Sequence, residues 1–429
     1  LTSTEGSIKN ETTAEGAGDQ YSYQTTLGKT AGIEAAGNLD LNAGRDIAVT
    51  GADVSAGGDA SLTAGGDISF DTIVDKTATT TGSSTKSLLG DSWSTTTTTT
   101  ETNIGSNLQV GANLKLNSGG DTTLAGSKAE VGGNLDVETG GDFNVIARQD
   151  KVTTHTEEKT TGVGVGGGVY GAEKTTTDSF KGTNVGSSLN VGGNADIDAG
   201  DTMRLLGSDM NVAGNADIDA TKGIEILDGL DEERTTTRTE TTTFLKVDSG
   251  GESASGSESG SESASAMGRA SAGASSGASA EASGSSDVKL YEKTVTTTRS
   301  GSTTSVASSL NVGGNLNART EGTLTVQGSN VESGGDMNLD AENVEVLAGR
   351  NTEWSHTETT RTSVGIYSDG GASADAGAEA QSRAGTLGTN ADANAGASAS
   401  AEGVTTIGAR VEQEKSSSYK LTNTGSTLR

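Results

Sequence analysis

A step of 21 residues constrains this chain more than any other feature. Residues 131–145 read VGGNLDVETGGDFNV. With Asn134 as origin, Leu135 and Val137 stand at +1 and +3, Phe143 and Val145 at +9 and +11, and Val131 at −3. Alternation over so few residues predicts short strands with one buried face. The Gly-Gly-Asn and Gly-Gly-Asp pieces between them read as tight corners that need positive φ.

The unit recurs in four pairs, each pair 21 residues apart: Asn38 and Asp59, Asn113 and Asn134, Asn194 and Asn215, Asn315 and Asp336. Over these eight copies the +1, +3, +9 and +11 positions give 32 slots, and 30 of them are apolar, in a chain only 30% hydrophobic. Thr122 and Glu345 are the exceptions. Such a short period signals a solenoid, because one unit cannot bury its own face and must stack on a neighbour. Each unit therefore reads as one coil of a parallel β-helix, with three short strands, three corners and a rise of about 4.8 Å. Equivalent residues then form ladders. Leu114 and Leu135, Ile197 and Ile218, Val145 and Leu205 belong to the interior. Asn38, Asp59, Asn113, Asn134, Asn194, Asn215, Asn315 and Asp336 form a structural corner whose side chains bond up and down the stack. At Glu345 a one-residue register shift is expected, turning Val344 and Val346 inward.

Between the coil pairs lie segments with no hydrophobic face. Thr is a good strand former and Thr–Thr cross-strand pairs are favourable, so these read as β-hairpin arms. The predicted layout is residues 1–33 as the returning half of a preceding arm, then coils at 34–74, 108–149, 185–230 and 306–350. Arms occupy 75–107, 150–184, 231–305 and 351–429. In the first arm the turn is placed at Gly90-Asp91. In the second it falls at Gly166-Gly167-Gly168, with Val163 and Val165 facing Val169. In the third, residues 235–247 pair with 288–298. The tips at 249–287 and 369–403 are rich in Ser, Gly and Ala. They read either as flexible linkers or as close-packed strands, since Ala372, Ala374, Ala376, Ala378 and Ala380 alternate, as do Ala391, Ala393, Ala395, Ala397, Ala399 and Ala401.

Composition narrows the function. The chain of 429 residues holds no Pro, which suits a backbone nearly all in hydrogen-bonded ladders, where a missing donor is costly. It holds no Cys, so disulfides and thiolate sites are excluded. A formal net charge of −29 makes nucleic acid and anionic membranes poor partners. No apolar run approaches a membrane span. The start at Leu1, without a signal-peptide pattern, fits a processed end or a piece of a longer protein.

Candidate chemistry is sparse. His155 and His356 sit in different arms without a partner at ligand spacing, and read as exposed strand positions. The Gly-Gly-Asp corners invite comparison with calcium β-rolls, but those repeat every nine residues. Asp and Glu outnumber Lys and Arg 58 to 29, which leaves weak, nonspecific divalent binding open. A glycan-active β-helix enzyme would need clustered acids beside an aromatic-lined groove, and aromatics make up 3% of this chain. No catalytic residue, metal site or cofactor is expected.

The coil wording, VGGNLxLxAGxD followed by GSxxxVGGNL, resembles the haemagglutinin-type repeats of filamentous haemagglutinin-like exoproteins, a group that includes contact-dependent inhibition effectors. Residues 108–145, 189–226 and 310–347 carry it best. The resemblance implies a right-handed β-helical rod on a Gram-negative cell surface, exported unfolded through an outer-membrane secretion partner. The expected role is a structural and adhesive rod, touching a surface receptor and neighbouring copies or further repeats, with lateral assembly into a filament or matrix. The alternative is the presentation stick of a contact-dependent toxin.

Overall fold

The computed structural model describes residues 5–13, 19–27, 31–249, 253–256, 278–377 and 396–429. They form a parallel β-helix with a fin along one corner. The helix has three faces. Face 1 is a nine-stranded sheet beginning with Gly32–Ala35, and faces 2 and 3 are eight-stranded sheets beginning with Leu39–Ala43 and Ile47–Thr50. All pairings within the faces are parallel, and all but the last on face 3 keep the register of the repeat. Leu114 lies on Ala60 and under Leu135, and Ile197 lies under Ile218. The intervals spanned by an arm obey the same rule: Leu135 stacks on Ala195, and Ala216 on Leu316. Leu114, Leu135, Val145, Ile197, Leu205 and Ile218 are all buried in one continuous core.

Both exceptions in the apolar pattern have a local solution. Thr122 is buried, with its hydroxyl 2.8 Å from that of Ser118, which itself donates to Thr139. Around Glu345 the register slips by one, so Val344 pairs with Leu324 and Val346 with Val326, but both stay about half exposed rather than buried.

The corner glycines serve a purpose other than the expected one. Those of the Gly-Gly-Asn and Gly-Gly-Asp turns do not have positive φ. They are needed because the coils approach too closely for a side chain: a Cβ on Gly132 would stand 2.4 Å from the carbonyl oxygen of Gly111. Positive φ occurs instead at the third corner. There Gly51, Gly126, Gly207 and Gly328, with φ of 53–56°, turn face 3 directly into face 1.

Every second coil replaces that direct corner with an arm. The arms are hairpins of Ile73–Ser87 with Gly90–Ile104, Arg148–Val163 with Tyr170–Val185, Gly229–Ser249 with Ala278–Val306, and Gly349–Gly377 with Gly396–Thr424. They do not stand apart. Each pairs antiparallel with the next, and with Glu5–Thr13, Asp19–Leu27 and Ser253–Gly256 they form one 11-stranded sheet. The geometry requires this ratio of coils to arms. Two coils rise by two strand spacings, and one hairpin is two strand spacings wide, about 9.6 Å in each case. One arm per two coils therefore keeps fin and helix in step.

Several expected boundaries move. Residues 1–33 are not half of an arm. Glu5–Thr13 and Asp19–Leu27 pair as a hairpin of their own, and the second of these strands joins the fin through Gln20–Gln24. The first arm turns at Leu88-Leu89, with Ser87 opposite Gly90. The second turns through a short 3-10 segment, Val165–Gly167, and Val163 faces Tyr170 rather than Val169. In the third, Val247 pairs with Val288 and Thr237 with Thr298. Ala372, Ala374 and Ala376 pair with Ala401, Ala399 and Ala397. Ala378, Ala380, Ala391, Ala393 and Ala395, and most of the third tip, lie outside the described residues. The closing strand Thr427–Leu428 pairs with Asn330–Ser333 as the first strand of a further coil.

Step-matching yields a deletion test. Removing residues 106–186 excises two coils with one arm and is expected to preserve a single cooperative thermal transition. Removing residues 106–126 takes out one coil only. It should leave the first two arms out of step and open to limited proteolysis between them.

Candidate interaction surface

Polar ladders run along all three corners, the second of them over the earlier coils only. At the first, each Asn or Asp side chain accepts from the backbone N–H of its counterpart in the next coil. Asn38 Oδ1 receives Asp59 N–H at 3.0 Å, and Asn113 Oδ1 receives Asn134 N–H at 2.9 Å. The series continues through Asn194, Asn215, Asn315 and Asp336. These side chains are exposed, but their oxygens are committed to the stack. Beside them a groove of about 950 Å³ follows the corner, floored by Gly111, Gly132, Gly192 and Gly313 where side chains would collide. At the second corner Asp46, Asp67, Asp121 and Asp142 repeat the device.

The third ladder lies inside. Ser106, Ser127, Ser187, Ser208, Ser308 and Ser329 stack at the seam from which the arms leave, and each is buried. The N–H of each donates to the hydroxyl of the next: Ser106 to Ser127 at 2.9 Å, Ser187 to Ser208 at 2.9 Å, Ser308 to Ser329 at 3.1 Å. The serines that follow an arm also reach backward. Ser187 Oγ lies 3.0 Å from the carbonyl of Leu124 and 2.7 Å from that of Ile146, tying arm re-entry to the end of face 3. Hydrophobic counting overlooks this row, although the Gly-Ser pairs at 126–127, 207–208 and 328–329 mark it in the sequence.

Charges are deployed in two ways. At the arm roots Asp71 takes both Arg148 Nε and Nη2, joining the first arm's base to the second's. Partial burial works against the Asp71 charge, but the Arg148 hydrogen bond, the Thr72 N–H and the guanidinium charge outweigh it and lower its pKa. On the outer side of face 2, Asp136, Asp196 and Asp217 form one row and Glu138, Asp198 and Asp219 the next. Here partial burial, then the neighbouring carboxylates, raise the pKa of Asp196 and Asp198. Among the described residues no three His, Cys, Asp or Glu side chains are grouped to hold a metal ion.

The fin presents the broadest surface. Its rungs are hydroxyl pairs between and within arms, such as Thr80–Thr97 at 3.0 Å, Thr96–Thr156 at 3.1 Å and Thr296–Thr359 at 3.1 Å. His155 is exposed and meets Asp178 at 2.6 Å, and His356 meets Ser417 at 2.8 Å. Farther out, Glu292 is buried between Lys289 and Lys246. Burial opposes its charge, yet the hydrogen bonds from the two amines lower its pKa. One rung differs from the rest. Phe180, Arg234, Gly301, Trp354 and Tyr419 face one another in turn across five strands. The Arg234 guanidinium lies 5.0 Å from the Phe180 ring centre, and a cleft of about 450 Å³ opens beside Trp354 and Tyr419.

Two consequences are measurable. Ser187→Ala removes a buried acceptor of one N–H and a donor to two carbonyls, and should cost about 1–3 kcal/mol in urea unfolding. The carboxylates predict opposite pH effects. Asp71, with a lowered folded pKa, stabilises above its unfolded pKa and loses that contribution as pH falls through the lowered value. Asp71→Asn should therefore reduce Tm at pH 7 and cease to matter in strong acid. Asp196 and Asp198, with raised folded pKa, disfavour the fold at neutral pH and are relieved as pH falls through the raised values. The double change Asp196→Asn with Asp198→Asn should raise Tm at pH 7, with the gain shrinking on acidification.

Comparison with known proteins agrees with this geometry. No curated protein and no solved structure matches the chain significantly. The family model described as hemagglutinin repeat matches four times, over residues 2–87, 89–176, 165–297 and 290–429. Each match takes in coils together with arm sequence, and together the matches cover nearly the whole chain. The chain belongs to the hemagglutinin repeat family, as a filamentous haemagglutinin-like repeat region of the adhesin-exoprotein type.

Proposed function

We propose that this chain is the stiff, adhesive shaft of a secreted surface protein, and that it makes its contacts through the fin. The observation carrying this reading is the union of all arms into one sheet anchored along the whole helix. Eight coils at about 4.8 Å give a shaft segment of roughly 40 Å. A shaft held at three corner ladders and braced by a fin resists bending better than stacked coils alone.

The same union changes the expected mode of contact. Separate hairpins would each expose unpaired strand edges, which recruit other chains. Here the inner edges of the arms are consumed by neighbouring arms. Along the inner arms what remains for a partner is the flat face, rich in Thr and Ser hydroxyls. Contact is therefore face-on, with a cell-surface molecule, and edge-driven lateral bundling is disfavoured by the −29 charge as well. Export through an outer-membrane partner belongs to the same proposal, supported by family membership and by a chain without Pro or Cys.

Beads coated with the purified chain should adhere to bacterial or epithelial cells, and electron microscopy should show single particles at high concentration. Non-adherent beads would remove the contact role. Lateral bundles in place of single particles would remove the face-on mode.

A further inference from the structure

The inner edges of the fin are consumed by neighbouring arms until a long arm outreaches a short one. The second arm ends at its Val165–Gly167 turn, where Tyr170 faces Phe244 and the Val169 N–H donates to the carbonyls of Phe244 and Leu245 at 3.1 Å. The third arm runs on. Past Leu245, the strand Gly229–Ser249 has its own return strand on one side and, among the described residues, no strand on the other. This step lies between two arms inside the fin, so neither end of the chain creates it.

Both strands of the third arm bulge at the step. Leu245, with φ of 50°, is the one non-glycine residue at positive φ among the described residues. The return strand slips against the fourth arm between Lys289 and Tyr291. The effect can be followed row by row. Phe244, Tyr291 and Val364 lie opposite one another in turn, and so do Val247, Val288 and Ile366. Val364 and Ile366 are two apart and share a face, whereas Phe244 and Val247, three apart, would point to opposite faces of a regular strand. The bulges bring both rows to one face. There Phe244, Val247, Val364 and Ile366 are exposed, as is Tyr170 at the end of the first row.

Bulges and lysines can also blunt an edge against pairing. That purpose does not fit this step. The side chains at and past the bulge include Leu245, Val247 and Leu290, all exposed and apolar, and the Lys246 amine is turned onto the buried Glu292 at 3.2 Å. Strain held at a leucine, gathering apolar side chains beside an open edge, suits strand addition. The edge offers backbone hydrogen bonds, and alternate side chains of an incoming strand meet the apolar rows. The turn of the second arm closes the inner end, so a short extended segment fits where the long strand of another fin would collide.

We infer that the step between the second and third arms binds an extended peptide with apolar residues at every second position, taken up as an added strand. The site is separate from the flat face that meets cells, and its failure would leave that face untouched.

A phage-displayed library of random peptides, panned on the full chain, is the probe. The inference expects enriched peptides to alternate apolar and polar residues, and synthetic copies to slow hydrogen exchange at the amides of residues 247–249. Val247→Asp, at a position 66% exposed, should weaken those peptides at least tenfold with Tm unchanged. Leu88→Asp, at the fully exposed turn of the first arm, should leave binding as it is, which sets aside general stickiness. The inference is overturned if no peptide is enriched, if the enriched peptides lack alternation, if binding survives Val247→Asp, or if protection falls elsewhere on the fin. A chain that elutes as a dimer, and as a monomer with Val247→Asp, would give the step to a second copy and overturn it too. Coated beads that still adhere to cells in those cases would leave the contact role standing and remove this site alone.

Discussion

The distance between hydrogen-bonded strands, about 4.8 Å, governs this molecule twice. Along the helix it is the rise of one coil. Across the fin it is the width of one strand. The chain spends two coils for every two-strand hairpin, so the two repeats stay in phase over the described length. Were the ratio different, the arms would drift against their roots, and Thr-rich hairpins without a core would have to survive alone. An isolated two-stranded hairpin is marginal in water. In the fin each inner strand has partners on both sides.

Stability is therefore distributed in a particular way. A single coil has too little interior to fold, and its apolar slots become a core only when Leu, Ile and Val stack on their counterparts above and below. At the first two corners a side-chain oxygen accepts from the next coil's N–H, and the serine ladder runs the other way, so each coil satisfies its neighbour's backbone rather than its own. At the third corner the ladder is buried, because the arms leave and re-enter there and water cannot serve the backbone groups. The fin depends on the coils for its spacing, and face 3 depends on the re-entry serines to close its ends. Thr and Gly dominate for related reasons: Thr makes rungs that pair in any arm, and Gly lets adjacent corners meet.

Much of this was legible in the residues. The 21-step fixed which side chains share the interior, and even the slip at Glu345 could be seen from Val344 and Val346. The union of the arms was not visible. Runs such as residues 95–100, six consecutive threonines, look the same after a shift of two, so they carry no register of their own. Their partners are set by where the coils place the roots. The role of the corner glycines is hidden because a sequence shows flexibility but not the nearness of Gly111 to Gly132. The row of Phe180, Gly301, Trp354 and Tyr419 is invisible for the same cause as the fin: residues spread from 180 to 419 fall into one row only when separate arms share one sheet.

A rod built this way offers rigidity from its corners and surface from its arms, which fits an adhesin-type repeat region better than a catalyst. The absence of Cys permits a direct check on the shared spacing. Thr96 and Thr156 belong to different arms, with hydroxyls 3.1 Å apart. Thr96→Cys with Thr156→Cys should close an intramolecular disulfide rapidly under mild oxidation, while Thr96→Cys with Thr357→Cys, in arms that do not touch, should stay reduced. If the first pair oxidises no faster than the second, the arms are independent hairpins and the in-phase sheet is wrong.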